Sequence, residues 1–282
     1  MRLPGIGIGT VFNKFRSGAP AYVGLLDTYP NAAAAYSTRL LRAAYSGNAI
    51  RVRRSGDNSE TNIGFVSGNL DTANLTAFCI AGGGTQNGFV VTWFDQSGNS
   101  NDITNATAAQ QPQIVSGGSM LLVGTRPYLD LTGENLSKTL GAAISQPATI
   151  FLIGKNNPGG AVVGSIFSTS TSAANCIEIG TRTDINRTVI FNNASAAVNA
   201  LSITPANQTA YYALINGASS AIDVNGTTGT GTTSATIDMI RLGSGPNWGN
   251  CVGYAQELVI YAANKSTDKA NILTDQRTYF GF

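Results

Sequence analysis

The chain contains no histidine. Imidazole is the usual base beside a nucleophilic serine or cysteine and a common zinc ligand. Its absence excludes a Ser-His-Asp triad, a Cys-His dyad and the ordinary zinc sites. Cysteine is nearly as scarce. Cys79, Cys176 and Cys251 are odd in number, far apart and free of any CxxC spacing, so they form no disulfide framework and suit a chain assembled in a reducing compartment. Charge is sparse too: Asp, Glu, Lys and Arg make up 11% of 282 residues and leave a net charge of +2, where roughly 25% charged residues is usual. That balance leaves no electrostatic footprint for nucleic acid. The one basic cluster, Arg51, Arg53 and Arg54, reads as a solvated or carboxylate-paired strand face. No segment approaches the ~20 apolar residues of a membrane helix. The opening MRLPGIGIGT is broken by Pro4, Gly5, Gly7 and Gly9, which is unlike a signal peptide. Gly82-Gly83-Gly84 runs into Thr85-Gln86 and lacks the Lys-Ser/Thr of a phosphate loop.

What is present is apolar and uncharged. Hydrophobic residues are 43% of the chain, enough for a sizeable core, and Ser, Thr, Asn, Gln and Gly must supply the surface. Short β-branched and aromatic runs recur between turn residues: Ile50–Arg53, Gly88–Phe94, Ala148–Ile153, Gly164–Phe167, Ile177–Ile179, Thr188–Phe191, Gln208–Ile215, Ile237–Leu242 and Val252–Tyr261. That spacing, without βαβ alternation, predicts an all-β chain: an antiparallel β-sandwich of the jelly-roll type. Ala221–Asn225 closing on Gly226 carries the Asn-Gly signal of a tight hairpin, and Thr227–Ser234 reads as an exposed polar loop. Two helices are expected. One spans Asn31–Ala44, with Asn31 as N-cap, and stops at Gly47. The other is short, Ser/Thr-capped and C-terminal, about Thr267–Tyr279.

Residues 1–20 form a Gly/Pro-punctuated arm whose Ile6, Ile8, Phe12 and Phe15 serve either as an added edge strand or in docking against a neighbouring subunit. Residues 21–282 form the main domain, an N-terminal subregion (21–115) and a sandwich (116–282), with Ser116-Gly117-Gly118-Ser119 as the joint.

Residues 27–115 resemble the opening of the fungal α-L-arabinofuranosidase B catalytic domain. The resemblance is carried by Ala33–Arg39, Ala44–Gly47, Ile50–Ser55 and above all Thr92-Trp93-Phe94-Asp95-Gln96-Ser97-Gly98-Asn99. Residues 148–279 resemble laminin-G and concanavalin-like jelly rolls, through Ala148–Ile153, Ala221–Gly226 and Gly253–Tyr261, a combination also found in phage tail, fibre and head-decoration proteins. The first resemblance implies a retaining mechanism with a Glu nucleophile and an Asp acid/base. Glu178 falls near the nucleophile's place, while the Gly-rich segment Leu242–Asn250, expected to carry the acid/base, holds no carboxylate. The enzyme's paired adjacent cysteines are also missing. A glycosidase without its proton donor loses the step that expels the leaving group. Asp184, Asp223 and Asp238 remain as substitutes for it.

These features predict a non-enzymatic structural component of a tailed bacteriophage virion: a tail-fibre, spike, capsid or head-decoration subunit. It would be assembled in the host cytoplasm and released by lysis, and would pack as a homo-oligomer, a trimer above all. Residues 1–20 would contact other virion proteins, with no nucleic acid bound and no membrane insertion. The alternatives are a freestanding lectin or adhesin and a retaining glycosidase. Trp248, Asn247, Asn250 and Glu178 are the candidate glycan contacts, because an aromatic platform beside amides matches a sugar's C–H face and hydroxyls. No cofactor is expected. Asp95, Asn99 and Asp102 space oxygen ligands loosely like a calcium loop but lack its bidentate Glu, and Asx-turns explain the same residues.

Overall fold

The computed structural model describes residues 22–81, 84–156, 163–170, 176–182, 187–192, 195–202, 208–247 and 249–282. The arm residues Ile6, Ile8, Phe12 and Phe15 lie outside the described residues, as do Asp184 and Trp248. The chain forms the expected all-β antiparallel sandwich with helices toward both ends: α1 (Leu25–Thr28), α2 (Thr72–Ile80) and α3 (Lys269–Phe280).

One layer is centred on Gly253–Tyr261, which pairs with Ala32–Ser37 on one side and Ala148–Asn156 on the other. It continues through Thr209–Ile215, Ser220–Val224 and Thr227–Gly231. The second layer runs from Ile50–Arg54 through Gly88–Trp93, Ile103–Thr104, Leu136–Ile144, Ile237–Leu242, Val163–Ser168 and Ile177–Arg182 to Arg187–Asn192. A bridge at Val198 and Gly231 joins the layers. So does the short strand Leu129–Asp130, which pairs with Gly253–Tyr261 on one side and Gln113 on the other. The sheet is thus rolled round a single main core.

The sequence pattern explains which layer lies where. Ala148–Asn156 is buried along almost its whole length, because both of its faces are covered. Ile150 and Leu152 meet Leu258 and Ile260 in the main core, whereas Phe151 and Ile153 meet Val259, Tyr261, Ile272, Leu273 and Phe280 in a second cluster under α1 and α3. The second layer alternates instead. Ile50, Val52, Ile177, Ile179, Ile240 and Leu242 face the core, leaving Arg51, Glu178 and Arg241 on the opposite face. Each fully buried Leu, Ile or Phe contributes about 1.5–3 kcal/mol.

Three local expectations are corrected. Asn31–Ala44 is no helix: Ala32–Ser37 is a strand, and Asn31 has φ 66, a left-handed residue with no capping role. An alanine's helix advantage amounts to less than ~1 kcal/mol. It yields to a backbone ladder against Gly253–Tyr261 that buries Ala34 in one core and Ala35 in the other. The short helix before this strand is α1, and the next helix is α2, whose N-cap Asp71 accepts from the backbone N–H of Asn74 at 3.0 Å. Thr227–Gly231 is a strand, the second arm of the Asn225-Gly226 hairpin; φ values of 50 and 93 at those two residues fit the primed turn expected there. α3 begins after Asp268 with no side-chain cap, so neither Ser266 nor Thr267 caps it, and it ends at Gly281 with φ 82, as a left-handed C-cap requires. The expected joint, Ser116–Ser119, forms a tight hairpin, Ser116 pairing with Ser119 and Val115 with Met120.

Candidate active site

Glu178 is fully buried although its strand neighbours Ile177 and Ile179 take the core face. Its place follows from strand pairing. Glu178 lies opposite Ser168, Ser168 opposite Arg241, Arg241 opposite Ser137, and Ser137 opposite Thr104. Directly paired residues share a face, so these side chains form one polar row across the outside of the second layer, with Glu178 at its deeply buried end.

A small hairpin closes over that end. Ser244–Gly245 pairs with Gly249–Asn250, and the turn between them brings Asn247 onto the carboxylate. The backbone N–H of Asn247 donates to Glu178 Oε1 at 2.8 Å and its Nδ2 donates to the same oxygen at 2.7 Å. Oε2 has no hydrogen-bond partner among the described residues. It lies flush against Gly245, where a Cβ would stand 2.1 Å from Oε2 and 2.8 Å from Ser165 Oγ. An alanine there would displace the Glu178 carboxylate from this position. The Ser244 Oγ is also buried and unpartnered, while Ser168 Oγ donates to the Ser244 carbonyl at 2.9 Å. Below the site, burial and the charge of Glu178 push the Cys176 thiol up to about 12, so it is protonated and inert at neutral pH.

Beside the hairpin lies a second cluster. Gly243, whose left-handed φ is 91, packs so closely on the loop before Leu136 that a Cβ would fall 2.1 Å from the Glu134 carbonyl oxygen. Gly133 N–H donates to the Cys251 carbonyl at 3.3 Å, and Cys251 N–H to the Gly243 carbonyl at 2.7 Å. Burial, then the charge of Asp130, pushes the Glu134 carboxyl up to about 7. An adjoining cavity of about 400 Å³ is lined by Tyr128, Asp130, Thr132, Lys155, Gly253 and Tyr254. The Tyr128 and Tyr254 rings are 4.7 Å apart between centroids.

Of the sequence candidates, Glu178 and Asn247 come together; Asn250 is exposed on the outer arm of the hairpin and opposite Ser244. Asp223 lies elsewhere: it pairs with Tyr212 on the face under α3 and accepts from Lys269 Nζ at 2.5 Å. Asp238 is exposed. Glu134 was missed, because a lone Glu in the turn Thr132–Asn135 carries no pattern. The oxygens of Asp95 accept from Ala35 N (2.8 Å), Ser97 N (2.8 Å), Ser97 Oγ (2.7 Å) and Asn101 N (3.0 Å). Asp102 accepts from Asp95 N at 2.8 Å, and Asn99 Nδ2 donates to the Ala32 carbonyl at 2.9 Å. These residues form an Asx-turn network that ties the Ala32–Ser37 strand down. Gln96 extends it, accepting from Leu41 N at 2.8 Å and donating to the Arg39 carbonyl at 3.0 Å. Arg54 pairs with Asp57 at 2.6 Å, and Arg53 binds Gln111 at 2.7 Å and Asn58 at 2.8 Å. Arg39, by contrast, reaches Glu257 and Asp275.

Comparison with known proteins sets this geometry in context. The model of the α-L-arabinofuranosidase B catalytic domain matches residues 26–122, the part that holds the Asp95 network but stops short of Glu178 and of half the chain. Three solved structures share the fold with a TM-score of 0.67 at 17% identity, over 86% of this chain and 62% of theirs. They are a family GH54 α-L-arabinofuranosidase soaked with a cyclic sulfate inhibitor, an arabinofuranosidase complexed with arabinofuranosyl-α-1,2-xylobiose, and a Glu-to-Gln variant of the GH54 enzyme soaked with 4-nitrophenyl α-L-arabinofuranoside. The chain therefore spans less than two thirds of these proteins. No curated protein matches it. These findings overturn the expectation of a non-enzymatic phage structural subunit: the family model and the fold relatives both belong to glycosidases.

Proposed function

We propose that this domain is a retaining glycosidase acting on α-L-arabinofuranosides, with Glu178 as its nucleophile. The observation that carries the reading is the state of that carboxylate. One oxygen is held by two N–H groups of Asn247, and the other is unpartnered among the described residues and packed against Gly245. A buried carboxylate oxygen left without a donor costs about 1–3 kcal/mol or more. A site that retains it keeps an unpaired lone pair on the carboxylate that this reading makes the nucleophile. The family match and the arabinofuranosidase fold support the substrate class.

In this reading Glu178 attacks the anomeric carbon and forms a glycosyl ester, which water then hydrolyses. Treatment with an arabinofuranose-configured electrophilic inhibitor, followed by peptide mass spectrometry, tests it. The expected result is one added glycosyl mass on the peptide containing Glu178, absent in Glu178→Gln, together with hydrolysis of 4-nitrophenyl α-L-arabinofuranoside by the unmodified protein. No label and no hydrolysis would refute it.

A further inference from the structure

We propose that the cavity lined by Tyr128, Asp130, Thr132, Lys155 and Tyr254 is a second carbohydrate-binding site, one that holds neutral sugar units of a polysaccharide. The choice of a carbohydrate occupant rests on the glycosidase reading. The cavity belongs to the first layer, whereas Glu178 lies on the outer face of the second.

Strand register builds the site. Asp130 pairs with Tyr254, and Tyr254 pairs with Lys155 on the next strand. Directly paired residues share a face, so the three side chains form one row with the tyrosine in the middle. Ala255 enters the main core, which turns Tyr254 outward. Leu129 and Leu131 enter the same core, so Tyr128, Asp130 and Thr132 face outward beside it. The Tyr128 ring leans on the Tyr254 ring, with centroids 4.7 Å apart and planes inclined by 38°. Tyr254, 9% exposed, is the floor, and Val252, 38% exposed, extends the apolar surface. The cavity they leave is about 400 Å³, within the roughly 300–1,000 Å³ of small-molecule sites.

The polar groups around that floor are free. Neighbouring strands lie about 4.8 Å apart, so the backbones of Asp130 and Lys155 stand about 10 Å apart on opposite sides of Tyr254. Among the described residues the two side chains form no ion pair, and Asp130 Oδ1 accepts only from the backbone N–H of Thr132, at 3.0 Å. The hydroxyls of Tyr128 and Tyr254 have no hydrogen-bond partner among the described residues either. Burial raises both tyrosines, Tyr254 to about 12, so both hydroxyls keep their protons at neutral pH. The cavity thus offers a carboxylate acceptor at one end, an ammonium donor at the other, and phenol groups between.

A sugar matches that pattern. Its C–H face lies on aromatic and aliphatic surface, and the hydroxyls round its edge both donate and accept. Tyrosine, apolar in its body and polar at its tip, serves both needs. The two charges that line the cavity are opposite, which favours a neutral ligand over an anion or a cation. On a polysaccharide with arabinofuranosyl branches, this site holds the chain while Glu178 acts on a branch.

Affinity electrophoresis and calorimetry test the site, in a Glu178→Gln background so that the polysaccharide stays intact. The probes are soluble arabinoxylan, which is neutral, and polygalacturonate, which is anionic. Glu178→Gln is expected to bind arabinoxylan equally at low and high salt, since a neutral ligand is not screened. Adding Tyr128→Ala should weaken that binding about tenfold or more. Adding Lys155→Met instead should weaken it about three- to tenfold. Thermal melts check folding, and Lys155→Met decides if Tyr128→Ala does not fold. No binding of arabinoxylan, undiminished binding in the folded Tyr128→Ala double variant, or tighter and salt-sensitive binding of polygalacturonate overturns the proposal. Wild-type hydrolysis of 4-nitrophenyl α-L-arabinofuranoside, measured alongside, separates the two readings. Hydrolysis without arabinoxylan binding removes this site and leaves Glu178 as nucleophile. Binding that Tyr128→Ala abolishes, without hydrolysis by wild type, sustains this site and removes the nucleophile.

Discussion

Glu257→Gln removes one charge from the most enclosed ion pair of the described structure. Glu257 and Arg39 have side-chain exposures of 0% and 6%, with Nε to Oε2 at 2.8 Å. Arg39 Nη2 donates to Oε1 at 3.0 Å, Ser37 Oγ to Oε2 at 2.7 Å and Gln276 Nε2 to Oε1 at 3.0 Å. Each oxygen thus takes two donors. The Gln NH2 would turn two hydrogens toward two donors that now have no acceptor, and the buried guanidinium would lose its main counter-charge. Burial alone would lower the Arg39 pKa, yet the charge and hydrogen bonds of Glu257, aided by Asp275, raise it above the ordinary value; with Glu257 neutralised that support is lost, and because a guanidinium is not deprotonated in proteins Arg39 cannot discharge to relieve the loss. Breaking one partner of a buried pair costs about 3–5 kcal/mol, a large share of the 5–15 kcal/mol that holds a domain together. At about 2–4 °C per kcal/mol the melting temperature should fall by roughly 10 °C. Asp275 is the internal control: its side chain is 42% exposed, so Asp275→Asn should cost at most about 1 kcal/mol. Urea unfolding of both variants decides the matter. A Glu257→Gln loss no larger than that of Asp275→Asn would refute the argument that this pair pins α3 and the Arg39 loop to Gly253–Tyr261.

Gly245→Ala puts a methyl 2.1 Å from Glu178 Oε2. The carboxylate can swing aside, so stability should change by about 1 kcal/mol, while hydrolysis should fall about 10²-fold through its displacement; a variant with full activity would show that Oε2 does not act. Asp95→Ala takes away the acceptor of four hydrogen bonds and should cost about 3 kcal/mol in denaturant melts at about 1 kcal/mol or less per net bond plus orphaned donors; added calcium should not restore it. Glu134 has a raised pKa in the folded state, so its contribution is intact below about pH 4.5 and is lost as pH rises through about 7. The melting temperature should decline across that window, and the decline should flatten in Glu134→Gln.

The sequence by itself determined the sandwich. Alternation such as Ile177-Glu178-Ile179 and unbroken runs such as Ala148–Ile153 fix how many faces of a strand are covered, and the Asn225-Gly226 pair fixes a turn through its backbone preferences; these are local properties. It also removed imidazole from any site this chain builds, since histidine is absent. The Ala32–Ser37 strand was not legible, because alanine's weak helical preference is local and the ladder that defeats it lies on a strand more than 200 residues away. The tertiary structure alone decided that Asn247 folds back on Glu178, that Gly245 leaves room for its second oxygen, and that Glu134 is set beside the same hairpin. Each of those depends on which loops meet at the end of the rolled sheet, and close approach between distant segments leaves no periodic trace along the chain.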